Sequence, residues 1–202
     1  NYFELRDTGV IILAAGNSVR MRFPKPLLMY DQDRTFIGKL VEDYNKFGCG
    51  EIVIVINKFI SKNTEILALK DRFPGLKVVI NEFPEYERFY SIKLGLKSLS
   101  NSTFCYIQNC DNPFIDIRFL DQLYNNKLHG GYVVPTTHGK GGHPILISKN
   151  IIYYIKKYPA NDANLRDVMA RFKRTDLDLE RDETLININT PEEYFRYFKN
   201  VV

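Results

Sequence analysis

Gly9-Val10-Ile11-Ile12-Leu13-Ala14-Ala15-Gly16-Asn17-Ser18-Val19-Arg20-Met21-Arg22-Phe23-Pro24-Lys25 is the stretch that decides the fold. An apolar run of strand length stops abruptly in two alanines, a glycine and two small polar residues. Three cations, Arg20, Arg22 and Lys25, follow at once. Small residues let a backbone approach a ligand closely. Free backbone N–H groups beside cations are what polyphosphate binding needs. The bland alternative is an ordinary strand-to-loop turn with solvated basic residues. The loop is not a dinucleotide fingerprint and not a P-loop, because Gly16 is its single glycine after the strand.

Outward from this strand, β-type and α-type patterns alternate. Helical spacing appears at Phe36-Ile37-x-x-Leu40-Val41-x-x-Tyr44, ended by Gly48-Cys49-Gly50. Strands are expected at 51–56, 77–80, 104–107, 132–134 and 145–148. Helices are expected at 63–73, 91–99, 117–128, 151–158, 165–172 and 191–198, the last with Thr190 as N-cap and Pro191 at its first position. Residues 139–144 read as a glycine-rich turn, and 177–179 and 185–188 as further short strands. This β-α-β-α order predicts a three-layer α/β/α sandwich around a mostly parallel, Rossmann-like sheet. Ligands of such sheets sit at the carboxyl ends of the strands. The 14–25 loop, Asn81 and residues 108–113 each follow a strand and should line one edge. No repeat, low-complexity stretch or linker divides residues 1–202, so one domain is expected.

The totals agree. The chain has 202 residues, 45% of them hydrophobic, which supplies a core. With 28 basic and 24 acidic residues the net charge is +4, too balanced to argue for nucleic-acid binding. No stretch reaches the ~20 apolar residues that cross a membrane. Glu4, Arg6 and Asp7 interrupt any apolar start, so no signal peptide is expected, and a few residues before Asn1 are expected to be missing. Cys49, Cys105 and Cys110 form no C-x-x-C pair and read as buried free thiols, consistent with the cytoplasm.

Three further groups carry possible chemistry. Asp111 ends the strand at 104–107 opposite the cationic loop. One carboxylate plus substrate phosphates suits Mg²⁺, and a helix cap suits the same residue equally. Asn187 and Asn189 alternate before Thr190-Pro191-Glu192-Glu193 and would share one strand face. In Gly139-Lys140-Gly141-Gly142-His143-Pro144, the glycines and proline fix an unusual path, and His143 is either a hydrogen-bond donor to a ligand or a brace of the turn. Lys140 is expected to be solvated.

The chain resembles the MobA-like nucleotidyltransferases, whose pattern is roughly L-A-[AG]-G-x-x-x-R-M followed by a Lys. Here that is Leu13-Ala14-Ala15-Gly16, Arg20-Met21 and Lys25. The similarity continues in Asp111-Asn112-Pro113, in Ser91-Ile92-x-x-Gly95-Leu96, in Asn187 to Glu193, and, toward the MocA-like cytidylyltransferase subgroup, in Gly139 to Leu146. It spans about residues 9–197. The resemblance implies a nucleotide half at about 9–113 and an acceptor half at about 114–202. Leu13, Ala14, Ala15, Gly16, Asn17, Asn81 and Ser91 would face the nucleotide, and Arg20 and Lys25 its β- and γ-phosphates. Asp111 and Asn189 would hold Mg²⁺, with Asn187 as ligand or support, and His143 would stand on the acceptor side. Ala15 and the Gly-His-Pro segment point to CTP, with CMP passed to molybdopterin or another phosphorylated sugar or alcohol and pyrophosphate released. Departures from the pattern are Cys110 for Gly, Asn for Asp at 187 and 189, and Glu87-Arg88-Phe89-Tyr90 for the usual Gly-Met and serines. Glycines are also lost around Asp162 and Arg166. These departures keep open a non-catalytic nucleotide-binding module. A kinase is disfavoured by the missing P-loop, and an NAD-dependent oxidoreductase by the missing G-x-G-x-x-G. A monomer or small homo-oligomer is expected.

Overall fold

The computed structural model describes residues 5–201; Glu4, used above against a signal peptide, lies outside them. In chain order the elements are β1 (Arg6–Ala14), α1 (Phe36–Phe47), β2 (Cys49–Asn57), α2 (Thr64–Arg72), β3 (Lys77–Asn81), α3 (Glu87–Lys97), β4 (Phe104–Asn109), α4 (Ile117–Asn125), β5 (Gly131–Thr137), β6 (Lys140–Gly141), β7 (Ile145–Ser148), α5 (Lys149–Lys156), α6 (Leu165–Met169), β8 (Lys173–Asp178) and α7 (Pro191–Tyr197). Short 3₁₀ turns sit at Lys25–Leu27, Pro84–Tyr86 and Asp182–Leu185.

One eight-stranded sheet runs β3-β2-β1-β4-β7-β5-β6, with β8 on the other edge of β5. β1, β2, β3 and β4 are mutually parallel. β7 is antiparallel to both β4 and β5, so β5 runs with β4, and β8 runs with β5. The expected mostly parallel sheet is therefore present, with β7 and β6 reversed. β1 leads outward to β2, whereas β4 leads to the other side of the sheet. The chain's direction of travel thus reverses between two neighbouring strands, and a crevice opens at their carboxyl ends. Leu13 of β1 lies beside Asn109 of β4 there.

Alternation along β1 builds both faces. Val10 and Ile12 point to one core, against Leu40 and Tyr44 of α1, Leu120 and Leu123 of α4, and Tyr194 of α7. Ile11 points to the other, against Ile92 and Leu96 of α3, Ile151 and Ile155 of α5, and Val168 of α6. Helix ends follow local chemistry. The Thr35 hydroxyl accepts from Gly38 N–H, Asn63 from Glu65 N–H and Asp116 from Phe119 N–H. Gly48 closes α1 with φ 98°, the left-handed conformation glycine adopts without penalty. All three cysteines are free and buried.

Several boundaries differ from expectation. Residues 185–188 form no strand; Ile188 N–H donates instead to the Asp111 carbonyl at 2.7 Å, outside any ladder. Asn187 and Asn189 therefore do not share a strand face. The turn at 139–144 contains the two-residue strand β6, paired with Thr136 and Thr137. The last sheet strand starts at Lys173, earlier than its apolar Leu177 suggested, because its side chains alternate toward solvent and β5 supplies its ladder. Helix 165–172 stops at Met169, and 117–128 at Asn125.

Gly95 lets α3 lie close on the sheet: a Cβ there would stand 2.5 Å from Ile11 Cγ2 and 3.1 Å from Val55 Cγ2. Gly95→Ala is expected to destabilise the protein by about 1–3 kcal/mol, lowering Tm by several degrees in a thermal melt, despite alanine's better helix propensity. An unchanged melting curve would mean that α3 shifts freely on the sheet.

Candidate active site

The carboxyl ends of β1 and β4, with the start of α3, enclose a cavity of about 400 Å³. That is within the range of small-molecule sites. Leu13, Ala14, Ala15, Gly16, Asn17, Lys25, Asn81, Ser91 and Asp111 all reach its wall. These nine residues, drawn from four separate segments, were each expected at a ligand site.

The loop after β1 is shaped around Ser18. Its hydroxyl accepts from Lys25 N–H at 3.1 Å, and its carbonyl accepts from Met21 and Arg22 N–H. Ser18 and Arg22 both have positive φ, 51° and 58°, a conformation that costs a non-glycine residue energy. Among the described residues the N–H groups of Gly16, Asn17 and Ser18 have no acceptor, so they are free for one from a ligand. A Cβ on Gly16 would meet nothing within 4 Å.

Opposite this loop, two segments are tied together. Ile188 N–H donates to the Asp111 carbonyl, and the buried Asn112 side chain donates to Thr184 O at 3.0 Å. Asn189 is held from its other side by Glu193, whose carboxylate accepts from Asn189 N–H at 2.6 Å, while Glu193 N–H donates to the Thr190 hydroxyl. This is a capping box shifted by one residue. Tyr194 then anchors α7 by donating to Met29 O at 2.8 Å. The Asp111 turn is braced below as well. Buried Gln108 donates to the carbonyls of Asn109 and Asn112 and accepts from Tyr44 OH, and buried Lys39 donates to the carbonyls of Pro113 and Ile115.

Lys25 Nζ lies at the meeting point, 2.7 Å from Asn189 Oδ1 and 3.6 Å from an Asp111 carboxylate oxygen. Burial raises the Asp111 pKa, and the charges of Lys25 and Arg88 pull it back. An ammonium group thus stands where the two oxygens converge. Oxygen donors that gather round one cation suit a hard divalent ion that takes its remaining ligands from phosphates and water. Asn189 and Asp111 are brought together as expected. Asn187 is not: it is exposed and outside the cavity wall. Arg20 is exposed on the same loop as Lys25 but reaches neither cavity wall.

Asn81 and Ser91 are both buried, and the Asn81 amide donates to Ser91 Oγ at 2.9 Å while accepting from Phe83 N–H. Asn81 thus shapes the turn after β3 and also lines the cavity.

A second cavity, about 660 Å³, adjoins the first and is lined by His143, Asp162, Arg166 and Arg174, among others. His143 is pushed down to about 4 by burial, with the charge of Arg88 adding to the effect, so its ring is neutral. Its Nδ1 is buried with no partner among the described residues. Asn164, in place of a family glycine, caps α6 through Arg166 and Asp167 N–H. Two residues line both cavities, Glu87 and Arg88. In the sequence Arg88 stands out only as a departure from the family pattern, and the further cue is a cation in the first turn of α3.

The His143 shift has a pH consequence. Its folded pKa lies below the ordinary ~6.5, so the unfolded chain takes up the proton first as pH falls. Stability is fully present above pH ~6.5 and is lost down to about pH 4, on the order of 3 kcal/mol at most. Denaturant titrations of His143→Asn across that window are expected to show a flatter pH dependence than the parent, and an identical slope would remove His143 as the cause.

Residues 10–177 match the model of the MobA-like NTP transferase domain. The molybdenum cofactor cytidylyltransferase of Escherichia coli K12 is 24% identical over 186 residues, covering 91% of this chain and 92% of that protein. Among solved structures, a nucleotidyl transferase from Methanothermobacter thermautotroptrophicus superposes with a TM-score of 0.77 at 17% identity, covering 96% of this chain and 97% of that one. A manganese complex of Rv0371C from Mycobacterium tuberculosis H37Rv gives 0.72 at 18%, covering 96% and 98%. With the family model spanning most of the sheet and both strand-end loops of the first cavity, the chain belongs to the MobA-like NTP transferase family.

Proposed function

We propose that the protein transfers CMP from CTP to a phosphorylated small molecule and releases pyrophosphate. The observation that carries this is the convergence of free loop amides, Lys25, Asp111 and Asn189 on one cavity at the ends of β1 and β4. The whole chain acts as one nucleotidyltransferase domain, the nucleotide half at about 9–113 and the acceptor half at about 114–202.

The triphosphate lies over residues 14–18, where the free N–H groups of Gly16, Asn17 and Ser18 take phosphate oxygens, with Lys25 beside the β- and γ-phosphates and Arg20 on the exposed rim. Asp111 and Asn189 would hold a divalent cation, Mg²⁺ in this reading, which supplies charge neutralisation when bound. Support for a metal comes from the oxygen pair already gathered round an ammonium and from the relative seen with manganese. An acceptor phosphate oxygen enters from the second cavity and attacks the α-phosphorus. A new P–O bond forms, the bond to the bridging oxygen breaks, and pyrophosphate leaves with that electron pair. The attacking oxygen is already ionised near neutrality, so no general base is required. Catalysis is then positioning and charge stabilisation. The cytidylyltransferase relative and Ala15 favour CTP. A molybdopterin-type acceptor or another sugar or alcohol phosphate fits the second cavity's arginines.

The second reading, nucleotide binding without transfer, is favoured by the amide at 189 in place of a second carboxylate. The test is thermal-shift titration with Mg²⁺ and each of CTP, GTP, UTP and ATP, followed by pyrophosphate-release assays over phosphorylated acceptors. CTP is expected to stabilise most, because a ligand that binds the native state raises Tm. Lys25→Ala and Asp111→Ala are expected to abolish release while remaining folded, and wild-type activity in both would sink the assignment. Binding with no release from any acceptor would favour the second reading. Gly16→Ala is expected to keep the free protein's Tm, since its Cβ has open space, yet lose most of the CTP-induced shift as that methyl enters the phosphate site. An undiminished shift would place the triphosphate elsewhere.

A further inference from the structure

Resting on the nucleotidyltransferase reading, we infer that Arg88 is the residue that grips the α-phosphate as it passes from nucleotide to acceptor. Three observations carry this. Arg88 lines both cavities, a place it shares with Glu87 alone among the described residues, so the residue stands at their junction, and its guanidinium reaches the first cavity's wall at Asn109. In an in-line transfer the phosphorus must sit at that junction, with the leaving group on one side and the attacking oxygen on the other.

The guanidinium is also held and left free in a telling way. Nε and Nη2 both donate to Asn109 Oδ1, at 3.2 and 2.9 Å, which fixes one edge of the fork against the last residue of β4. Nη1 has no acceptor, and no carboxylate lies within ion-pair distance of Arg88, among the described residues. Its tether is a neutral amide, so the full charge remains available to an anion. A planar fork with free N–H groups suits two oxygens of one phosphate.

The backbone is strained to reach this position. Glu87, immediately before Arg88, has φ 52° and ψ −140°, a conformation that side chains rarely adopt. Such strain gathers where geometry serves a ligand. Here it turns the chain from the 3₁₀ turn at Pro84–Tyr86 into α3 and directs Arg88 over the divide.

The experiment compares calorimetric binding of CTP, CMP and cytidine to the wild-type, Arg88→Gln and Arg88→Lys proteins with Mg²⁺ present. CMP carries the α-phosphate and no other. Arg88→Gln is expected to weaken CMP by about ten- to a hundredfold, the loss typical of a charge-assisted hydrogen bond, and to leave cytidine binding and the free protein's Tm unchanged. Arg88→Lys is expected to recover part of the CMP affinity, because it restores the charge without the fork. Equal CMP affinity in wild type and Arg88→Gln would overturn the inference. So would an equal loss of CMP and cytidine, which would mean that Arg88 merely shapes the pocket through Asn109. A wild-type protein that binds neither CTP nor CMP would overturn the nucleotide reading itself, which separates the two failures.

Discussion

The parallel pairing of β1 with β4 is the constraint on which the rest of the site depends. The two strands end level, Leu13 beside Asn109, yet their continuations diverge to opposite sides of the sheet. That divergence leaves a gap in which no backbone crosses, with the loop after β1 on one wall and the Asp111 turn on the other. At the base of β1, Gly9 makes room for the chain that runs from α3 into β4. A side chain at Gly9 would meet Ser102 Oγ at 2.7 Å, within the distance real Cβ atoms avoid. The buried runs Val10–Ile12 and Phe104–Ile107 then fix the register against both helical layers, because a one-residue slip would exchange the two cores.

Within the crevice, electrostatics and hydrogen bonding divide the work. Asp111 is largely removed from water, which holds its pKa above the usual carboxylate range, and Lys25 offsets part of that rise. The pair is held by neutral groups: an amide from Asn189, backbone donors from Ile188, and the buried Gln108 and Asn112 beneath. An aspartate in place of Asn189 would leave one uncompensated negative charge near Asp111 until a cation arrived. The amide avoids that repulsion in the free protein and still presents an oxygen. Lys39, buried and paired with Asp43, anchors residues 113–115 to α1, so the turn carrying Asp111 is braced on three sides.

The first cavity was legible in the sequence because much of it is made of backbone. An apolar strand that breaks into Ala-Ala-Gly-Asn-Ser states its own geometry, and the segments 14–25, 81 and 108–113 could be brought to one edge from strand order alone. The helix start at Thr190-Pro191 followed capping chemistry and was equally plain, whereas the caps at Thr35, Asn63 and Asp116 emerge only in the structure. The C-terminal segment was not. The alternation Ile186-Asn187-Ile188-Asn189 looks like a strand, but the hydrogen bond from Ile188 to Asp111 and the Glu193 cap hold it as irregular chain, turning Asn189 inward and leaving Asn187 exposed. Arg88 was hidden for a related reason: its value lies in a position between two cavities, which no local pattern encodes.

The two cavities differ in the same way. The first cavity is built from amides, small residues and a few polar side chains locked by buried partners, as Asn81 is by Ser91. Its form follows from strand ends that the sheet itself positions, so it changes only if the fold changes. The second cavity is walled by long charged side chains, Arg166, Arg174, Asp162 and Glu85, on loops whose paths depend on local turns and caps such as Asn164. Arg174 already pairs with Asp176 at 2.6 Å, so the charge presented there is set by a few replaceable contacts. A substitution among them changes the charge of the second cavity without disturbing the sheet, whereas Lys25 and Asp111 are tied to β1 and β4 and are free to vary only at the expense of the first cavity.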